Sequence, residues 1–246
     1  MAYKEKKDLA HKSNYGDKRS TKNIKYIVIH YTGNDGDTDE SNANYFNKAN
    51  RKASAHYFVD DDSVTQSVPD NYVAWSVGGN KYNNNGGKYH GKCTNANSLS
   101  IEICDDVKNG KVYPSAKTIA NAIEFTKKKM KKYNIDADHV IRHYDVNGKS
   151  CPAYWCGTTS KDKKWKTEFH NKLTQKNVSF EPYEVKITAS KLKVREGAGT
   201  KYKVVEKIKK NEIYTIIEEK KSGLTKWGKL KSGIGWISLS YTKKVK

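Results

Sequence analysis

Three side chains of metal-binding types follow apolar segments of the chain. His30 lies in the apolar run 24–31, His143 lies in the short run 139–145, and Cys151 follows eight residues later. Two imidazoles and one thiolate form the ligand set of a catalytic zinc site, which keeps its fourth position for water. Histidines at strand ends and small buried thiols also occur as purely structural residues. The residue types therefore indicate a zinc site for hydrolysis, whereas their spacing alone leaves a structural role open.

Strands and helices alternate through the segment that contains these residues. Residues 24–31 (IKYIVIHY) and 98–104 (SLSIEIC) predict central strands, since β-branched and alternating apolar side chains dominate them. Thr38 to Arg51 predicts a helix with Thr38 as N-cap, and Ser115 predicts the start of a long helix. The alternation predicts an α/β catalytic domain with a central mixed β-sheet flanked by helices.

The remaining segments of this domain follow from the same patterns. They are strands at 55–60, 63–68 and 139–145, a Gly- and Asn-rich loop at 78–97, and a last helix through Trp165, Phe169 and Leu173. The expected catalytic domain therefore spans residues 1–173, with its core at about 22–173.

The sequence changes character after Leu173. Residues 174–182 (TQKNVSFEP) are polar and predict a linker. Residues 183–246 consist of short β-type runs separated by glycine turns, without a helical period. This pattern predicts a second domain, a small all-β barrel at 183–246.

The charge of the chain favours an anionic partner. The net charge is +20, and 43 of the 47 basic residues are Lys. Lysines act as point charges suited to a polyanion, whereas proteins that read nucleic-acid bases favour arginine forks. Lysine bias in an AT-rich genome is the alternative explanation. Residues 183–246 have 17 basic and six acidic side chains, or +11, and this density fits a docking role for the barrel.

Composition also excludes several classes of protein. The apolar runs are too short for a transmembrane segment, and the first 18 residues lack the apolar region of a secretory signal. Four cysteines in 246 residues do not form a disulfide scaffold, which predicts reduced thiols at Cys93, Cys104, Cys151 and Cys156. The lysines are spread along the chain, and this argues against a nucleic-acid-binding stripe.

Four separated segments, in this order, resemble one known family. They are IVIHYT, ASAHYFVDD, NANSLSIEIC and RHYDVNGKSCPA. Together they resemble the type-2 N-acetylmuramoyl-L-alanine amidases, which include phage endolysins, bacterial autolysins and peptidoglycan recognition proteins. The resemblance covers roughly residues 22–173. The segments LKVREGAGTKYKVV and GIGWISLSY resemble bacterial SH3 domains, which bind cell walls in many such lysins.

The resemblance implies a role for five residues of the first domain. His30, His143 and Cys151 match the family's Zn²⁺ ligands, and Glu102 matches the carboxylate that serves as catalytic base. Lys149 matches a basic residue beside the metal, where it can stabilise the developing oxyanion. A zinc ion activates water and polarises the amide carbonyl, while a carboxylate transfers the proton to the leaving amine.

The resemblance also implies two substrate-binding residues, His56 and Trp75. Packing in the core is the alternative for each of them. Some family members have a catalytic Tyr immediately before the His that matches His56, but this chain has Ala55 there. Tyr57 follows His56 and is expected on the opposite face of the strand. We therefore assign the base to Glu102.

The sequence as a whole predicts a peptidoglycan hydrolase that cuts the bond between N-acetylmuramic acid and L-alanine, as an endolysin or autolysin. Its expected partners are peptidoglycan and anionic cell-wall polymers, with no nucleic acid. The protein is expected to be made in the cytoplasm and to act on the wall after release through a holin-type pore or lysis. The alternatives are a non-catalytic peptidoglycan-binding protein and a cytoplasmic amidase that recycles muropeptides.

Overall fold

The computed structural model describes residues 3–34, 36–108, 111–175 and 182–245. The chain divides into two compact units, Met1–Gln175 and Lys176–Lys246. Most of the expected linker at 174–182 lies outside the described residues. No helix in the described ranges has both the length and the apolar character needed to cross a membrane.

The first unit contains strands and helices in alternation. Its strands are β1 (Lys4–Lys7), β2 (Tyr15–Lys18), β3 (Tyr26–Tyr31), β4 (Tyr57–Val59), β5 (Ser63–Gln66), β6 (Tyr72–Ala74), β7 (Ser98–Ile103), β8 (Asp106–Lys108), β9 (Lys111–Tyr113) and β10 (Val140–Arg142). Its helices are α1 (Asp39–Asn47), α2 (Ala116–Tyr133), α3 (His143–Asn147), α4 (Thr159–Lys164) and α5 (Asn171–Thr174). A π-helical segment, Trp165–His170, joins α4 to α5.

Six strands form the central sheet, in the order β1-β5-β4-β7-β3-β10. The β4–β5 pair is antiparallel, and the other neighbouring pairs are parallel. The predicted mixed sheet is therefore confirmed. Strands β2 and β6 form a separate antiparallel pair, as do β8 and β9.

The two faces of the sheet have different roles. Alternate residues of β3, such as Ile27 and Ile29, pack into the main core, which includes the apolar side of α2. Val28 lies on the opposite face, in a smaller cluster with Ile141 and Val146. The polar residues of β3 and β7 that the sequence singled out share this second face. The strand period thus separates the stabilising core from the candidate site.

The N-terminal segment forms part of the first unit. Strand β1 pairs with β5, so the sheet begins well before the expected core boundary at residue 22. Helix α1 begins after Thr38, whose side chain accepts a hydrogen bond from the Ser41 amide, but it ends at Asn47 rather than at Arg51. The buried Asn14 side chain donates to the carbonyls of Phe46 and Lys48, and the His11 amide also donates to the Phe46 carbonyl, so the N-terminal segment supplies partners at the helix end.

The second unit is all-β, as predicted. Its strands are β11 (Tyr183–Ile187), β12 (Lys191–Arg195), β13 (Val204–Lys209), β14 (Ile213–Ser222), β15 (Thr225–Leu230), β16 (Trp236–Ser238) and β17 (Thr242–Lys244). They form one sheet in the order β13-β12-β16-β15-β14-β11-β17. A compact apolar core that includes Val194, Ile216 and Leu230 lies beneath it.

Candidate metal centre and cleft

His30 and Glu102 lie side by side on the two central strands. They are paired positions in the parallel β3–β7 ladder, and both lie near the carboxyl ends of their strands. The distance between Glu102 Oε1 and His30 Nδ1 is 3.8 Å. Because the register of the ladder is set by backbone hydrogen bonds, the separation of these two side chains is set by the sheet itself.

His143 and Cys151 come from the turn that follows β10. His143 is the first residue of α3 and not the last residue of the strand, because Asp145 accepts the Arg142 amide hydrogen at 2.9 Å and caps the new helix. The chain then returns, and the Tyr144 amide donates to the Cys151 carbonyl at 2.9 Å. This backbone hydrogen bond brings the segment of Cys151 beside that of His143.

The three expected metal ligands converge. One ligand atom from each of His30, His143 and Cys151 lies within 4.8 Å of the other two. The distance from Cys151 Sγ to His30 Nδ1 is 3.7 Å, and the centroids of the two imidazole rings are 4.7 Å apart. All three residues are buried.

The hydrogen bonding of this cluster is incomplete in a way that fits a metal ion. His30 Nε2 and both ring nitrogens of His143 are buried and have no hydrogen-bond partner among the described residues. Buried polar atoms normally find a partner, so unpartnered nitrogens beside a thiol indicate ligands for a cation. Two imidazoles and a thiol are a donor set that suits zinc.

Burial sets the protonation states of the ligands. It lowers the pKa of His143 to about 4, with a further contribution from Lys149. Burial, followed by His143 and Lys149, lowers the pKa of His30 well below its ordinary value. Both imidazoles are therefore neutral, as metal ligands must be. Burial raises the pKa of the Cys151 thiol well above its ordinary value, so ionisation of this thiol calls for a bound cation.

Glu102 has the properties of a group that exchanges protons near neutral pH. Burial raises its pKa to about 8, while Lys149 opposes the shift and Asp105 and Asp37 add to it. Its Oε2 atom is buried and has no hydrogen-bond partner within the described ranges. A cation at the neighbouring ligands would lower this pKa toward the working range of a general base.

An open cleft gives access to the ligand cluster. It encloses about 860 Å³ and is lined by the three ligands together with Glu102, Lys149 and Trp75. Lys149 is exposed, and its backbone amide donates to Asn147 Oδ1 at 3.0 Å. Trp75 is 37% exposed. The structure thus brings together all but one of the residues that the sequence assigned to the site.

The exception is His56, which lies in the protein core beside the cleft. It is 1% exposed, and its Nδ1 atom accepts a hydrogen bond from the Ser100 amide at 3.0 Å. Its Nε2 atom is 3.2 Å from the Tyr72 carbonyl oxygen and 2.9 Å from the Arg19 guanidinium. These contacts occupy the ring, so the position fits the packing alternative and does not offer the ring to a substrate.

The neighbouring Tyr57 points to the opposite side of its strand. Its hydroxyl donates to Asp70, and the Lys129 ammonium donates to the same hydroxyl. Lys129 Nζ also donates to Asp70 Oδ2 at 2.9 Å. Tyr57 therefore belongs to a buried ionic cluster on the side of α2, away from the metal ligands.

The loop that follows the cleft residues Trp75 and Ser76 is tied to α3. Residues 78–97 were expected to form a Gly- and Asn-rich loop, and much of this segment is held by backbone hydrogen bonds: the Gly87 amide donates to the Tyr144 carbonyl and the Tyr89 amide to that of Asp145. Gly86 lies against Gly148 so closely that a Cβ atom on Gly86 would be 2.6 Å from the Gly148 Cα. The loop is therefore held in place where it meets α3.

Sequence patterns missed a polar group behind Glu102. Asp105 is 2% exposed, and its Oδ2 atom accepts the Gly33 amide hydrogen at 2.9 Å. Its own amide donates to Asp37 Oδ1 at 3.2 Å. These contacts link the loop after β3 to the end of β7. The signal available in the sequence was a run of acidic residues directly after a buried strand.

The cysteines outside the ligand cluster are free and buried. Cys93, Cys104 and Cys156 make no disulfide. Burial raises the pKa of Cys93 to about 12, which leaves an inert apolar thiol. Cys104 packs with Ala43, Ala55 and Phe58 on the cleft side of the sheet.

Comparisons with known proteins identify a family for each of the two units. A family model described as N-acetylmuramoyl-L-alanine amidase matches residues 20–154, and one described as bacterial SH3 domain matches residues 190–243. The solved structure of PlyL is 29% identical, with a TM-score of 0.55, and the match covers 72% of this chain and all of that one. The catalytic domain of XlyA is 26% identical, with a TM-score of 0.52, covering 67% of this chain and 95% of that one.

Curated relatives show the same likeness over a part of their length. CwlL from Bacillus licheniformis, named an N-acetylmuramoyl-L-alanine amidase, is 32% identical over 75% of this chain and 52% of its own length. CwlA from Bacillus subtilis strain 168, which has the same description, is 35% identical over 62% of this chain and 52% of its own length. The chain spans about half the length of the curated relatives it matches. With the amidase model covering more than half of its residues, the chain belongs to the N-acetylmuramoyl-L-alanine amidase family and has a bacterial SH3 domain after the amidase domain.

Proposed function

We propose that this protein hydrolyses the amide bond between N-acetylmuramic acid and L-alanine in peptidoglycan. The observation that supports the proposal most directly is the convergence of three buried ligand side chains, with unpartnered ring nitrogens, at the floor of an open cleft beside Glu102. The activities named for CwlL and CwlA support the same reaction.

In this proposal His30, His143 and Cys151 hold a zinc ion. When bound, zinc lowers the pKa of a water molecule and polarises the carbonyl of the scissile amide. The neutral state of both imidazoles favours binding without a competing proton. The β3 backbone positions His30, and the turn after β10 positions the other two ligands, so the protein presents a largely pre-formed site.

Glu102 is the proposed general base. It accepts a proton from the attacking water and then donates that proton to the nitrogen of L-alanine as the amide bond breaks. Glu102 is only 20% exposed and lies 3.8 Å from His30 Nδ1, so it faces the site where the water would be activated. Lys149, at the rim of the same cleft, donates a hydrogen bond to the carbonyl oxygen as negative charge develops there.

The SH3 domain is proposed to bind the cell wall. The net charge of +11 over residues 183–246 suits anionic wall polymers, and peptidoglycan itself is the other expected partner. We propose that the protein acts on the wall after release from the cytoplasm, as an endolysin or autolysin. No role in nucleic-acid binding is proposed.

The proposal is tested by product analysis on purified cell walls. Hydrolysis at the proposed bond creates free amino groups on L-alanine and no new reducing sugar ends. A glycosidase would create reducing ends, and a binding-only protein would create neither product. A muropeptide-recycling amidase would release alanine amines from soluble fragments while leaving intact walls uncut.

A further inference from the structure

The cleft continues past the metal ligands into a cavity with a basic lining. This cavity encloses about 550 Å³ and shares Trp75, His143 and Lys149 with the main cleft. Its charged lining residues are Lys52, Lys81 and Lys149, and no carboxylate lines it within the described ranges. We refer to it as the lysine arm.

The opposite part of the cleft has a different chemistry. Asp37 and Glu102 line it, together with the amides of Asn34 and Asn42 and the ring of Tyr45. Acidic and amide side chains beside an aromatic ring suit neutral sugar hydroxyls and repel a carboxylate. The site therefore has a polarity, with positive charge concentrated on one side of the ligands.

The ammonium groups of the lysine arm are available to a ligand. Lys52 and Lys81 are exposed, and neither makes an ion pair or a side-chain hydrogen bond with any described residue. The alkyl chain of Lys81 packs on Gly87, where an added Cβ atom would be 2.7 Å from Lys81 Cε. Because the loop at Gly87 is tied to α3, Lys81 is held at the cavity.

The proposed substrate has an anionic group at a suitable place. The glycan beside the scissile bond is neutral. On the other side of that bond, L-alanine is followed by D-glutamate linked through its γ-carboxyl group, whose α-carboxyl group is either a free carboxylate or an amide. One extended residue spans about 3.5 Å, so this group lies a short distance from the scissile bond.

We infer that the lysine arm receives the stem peptide, and that Lys52 and Lys81 make the enzyme select the free α-carboxylate of D-glutamate over its amide. This inference rests on the proposed function and assigns the glycan to the side of Asp37. Interactions between solvent-exposed charges are modest, so two lysines give a preference of roughly three- to tenfold in kcat/KM. The preference declines as salt screens the charges.

The test uses two glycan-linked stem peptides that differ only in this group, one with the acid and one with the amide. The ratio of kcat/KM for the acid to that for the amide is measured for the full chain, for Lys52→Met, for Lys81→Met and for the variant with both replacements. Lys92→Met is the matched control, since Lys92 is an exposed lysine of the same loop outside the cavity. Lys81→Arg retains the charge and is expected to retain the preference.

The expected result is a ratio above three for the wild-type chain and for Lys92→Met, and a ratio near one when both lysines are replaced. The amide substrate shows whether each variant is folded and active. Equal rates on both substrates, or a ratio that the two replacements leave unchanged, overturn the inference while the proposed function stands. Failure to cut either substrate, with intact walls also uncut, overturns the proposed function itself.

Discussion

His30 and Glu102 are paired residues of adjacent parallel strands, with 3.8 Å between His30 Nδ1 and Glu102 Oε1. A metal ligand and a proposed base are thus held at a fixed separation by the hydrogen bonds of one β-ladder. No loop needs to close to bring them together. A substitution of the side chain at either position is therefore expected to leave the other side chain in place.

Glu102→Gln separates proton transfer from metal binding. Glutamine keeps the shape of the side chain but cannot accept a proton, and a positioned general base typically contributes on the order of 10²- to 10⁴-fold. We expect zinc and wall binding to be retained and amine release from walls to fall by that factor. Near-normal turnover with full zinc occupancy would place the base at another residue.

His143→Ala tests the ligand assignment. Removing one of three protein ligands from a buried site should abolish both stoichiometric zinc and hydrolysis, because the remaining two cannot hold the ion. Metal content by mass spectrometry and amine release from walls are the two measurements. His90→Ala, an exposed histidine that lies in the loop 78–97, is the control and should keep both properties. Full activity of the His143 variant contradicts the assignment.

Separating the two units tests the proposal that the first unit hydrolyses the wall and the SH3 domain binds it. Residues 1–175 contain all the proposed ligands, so this fragment should fold with zinc bound, while the isolated SH3 domain should bind walls without cutting them. Wall binding by the SH3 domain should weaken with added salt, since exposed charges are screened over about 8–10 Å at physiological ionic strength. Salt-independent binding would show that specific contacts outweigh the net charge of +11.

Asp70 tests the buried ionic cluster. Burial opposes its ionisation, but Lys129 and the hydroxyls of Tyr133 and Tyr57 hold the pKa of Asp70 below its usual range. Asp70→Asn leaves the buried Lys129 without a counter-charge, so we expect the free energy of unfolding to fall by about 3 kcal/mol at neutral pH.

The pH dependence of that loss has a definite sign. The pKa of Asp70 is lower in the folded state than in the unfolded state, where it is about 3.9. The contribution of Asp70 to the free energy of unfolding is therefore complete above about pH 3.9, and it disappears as the pH falls toward the pKa of the folded state. Denaturant unfolding of both proteins from pH 7 to pH 2 should therefore show the difference shrinking below about pH 4. The exposed Asp61→Asn is the control. A difference that stays constant throughout this range would exclude the ionic explanation.

Gly86→Ala tests the contact between the loop 78–97 and α3. The added methyl group would meet the Gly148 Cα at 2.6 Å and the Tyr144 carbonyl oxygen at 2.7 Å, and both are backbone atoms. We expect the free energy of unfolding to fall by about 1–3 kcal/mol, and activity to be lost because the loop beside the site moves. At Gly78, which lies in the same loop and lines the lysine arm, an added Cβ atom meets only Asn95 Nδ2 at 3.5 Å. Gly78→Ala should thus have the stability and the activity of the wild type.

The sequence predicted the central sheet well because its strands are strongly patterned. Strand β7 alternates between apolar side chains that face α2 and small or polar ones on the other face, and β3 is a run of β-branched and aromatic residues, so both strands are visible without a structure. The start of α1 was predicted at Thr38 from its capping residue, and the structure confirms that start. At its end near Asn47, the Phe46 carbonyl accepts from Asn14 and from the His11 amide, contacts distant in sequence that no local pattern contains.

Other features of the site depend on contacts that residue types do not reveal. Histidine is a residue type common in active sites, but the ring nitrogens of His56 contact Ser100 and the Tyr72 carbonyl, and both residues are far from His56 in sequence. The lysine arm forms only because the loop at 78–97 folds back on α3. Strand β1 was missed because the segment 4–7 is rich in charge, and it pairs at the edge of the sheet. In each case tertiary contacts decide the outcome.

The close approach of Gly86 to Gly148 has a consequence for the speed of the reaction. A loop that is already ordered before binding loses little conformational entropy when a ligand arrives, so the affinity is not reduced by an entropic cost of ordering the loop. Association then requires no slow closing step and is limited by diffusion and orientation. The proposed substrate is an insoluble mesh, so binding depends on encounters between the cleft and single peptidoglycan strands. An ordered loop beside the cleft lets a large share of those encounters become productive.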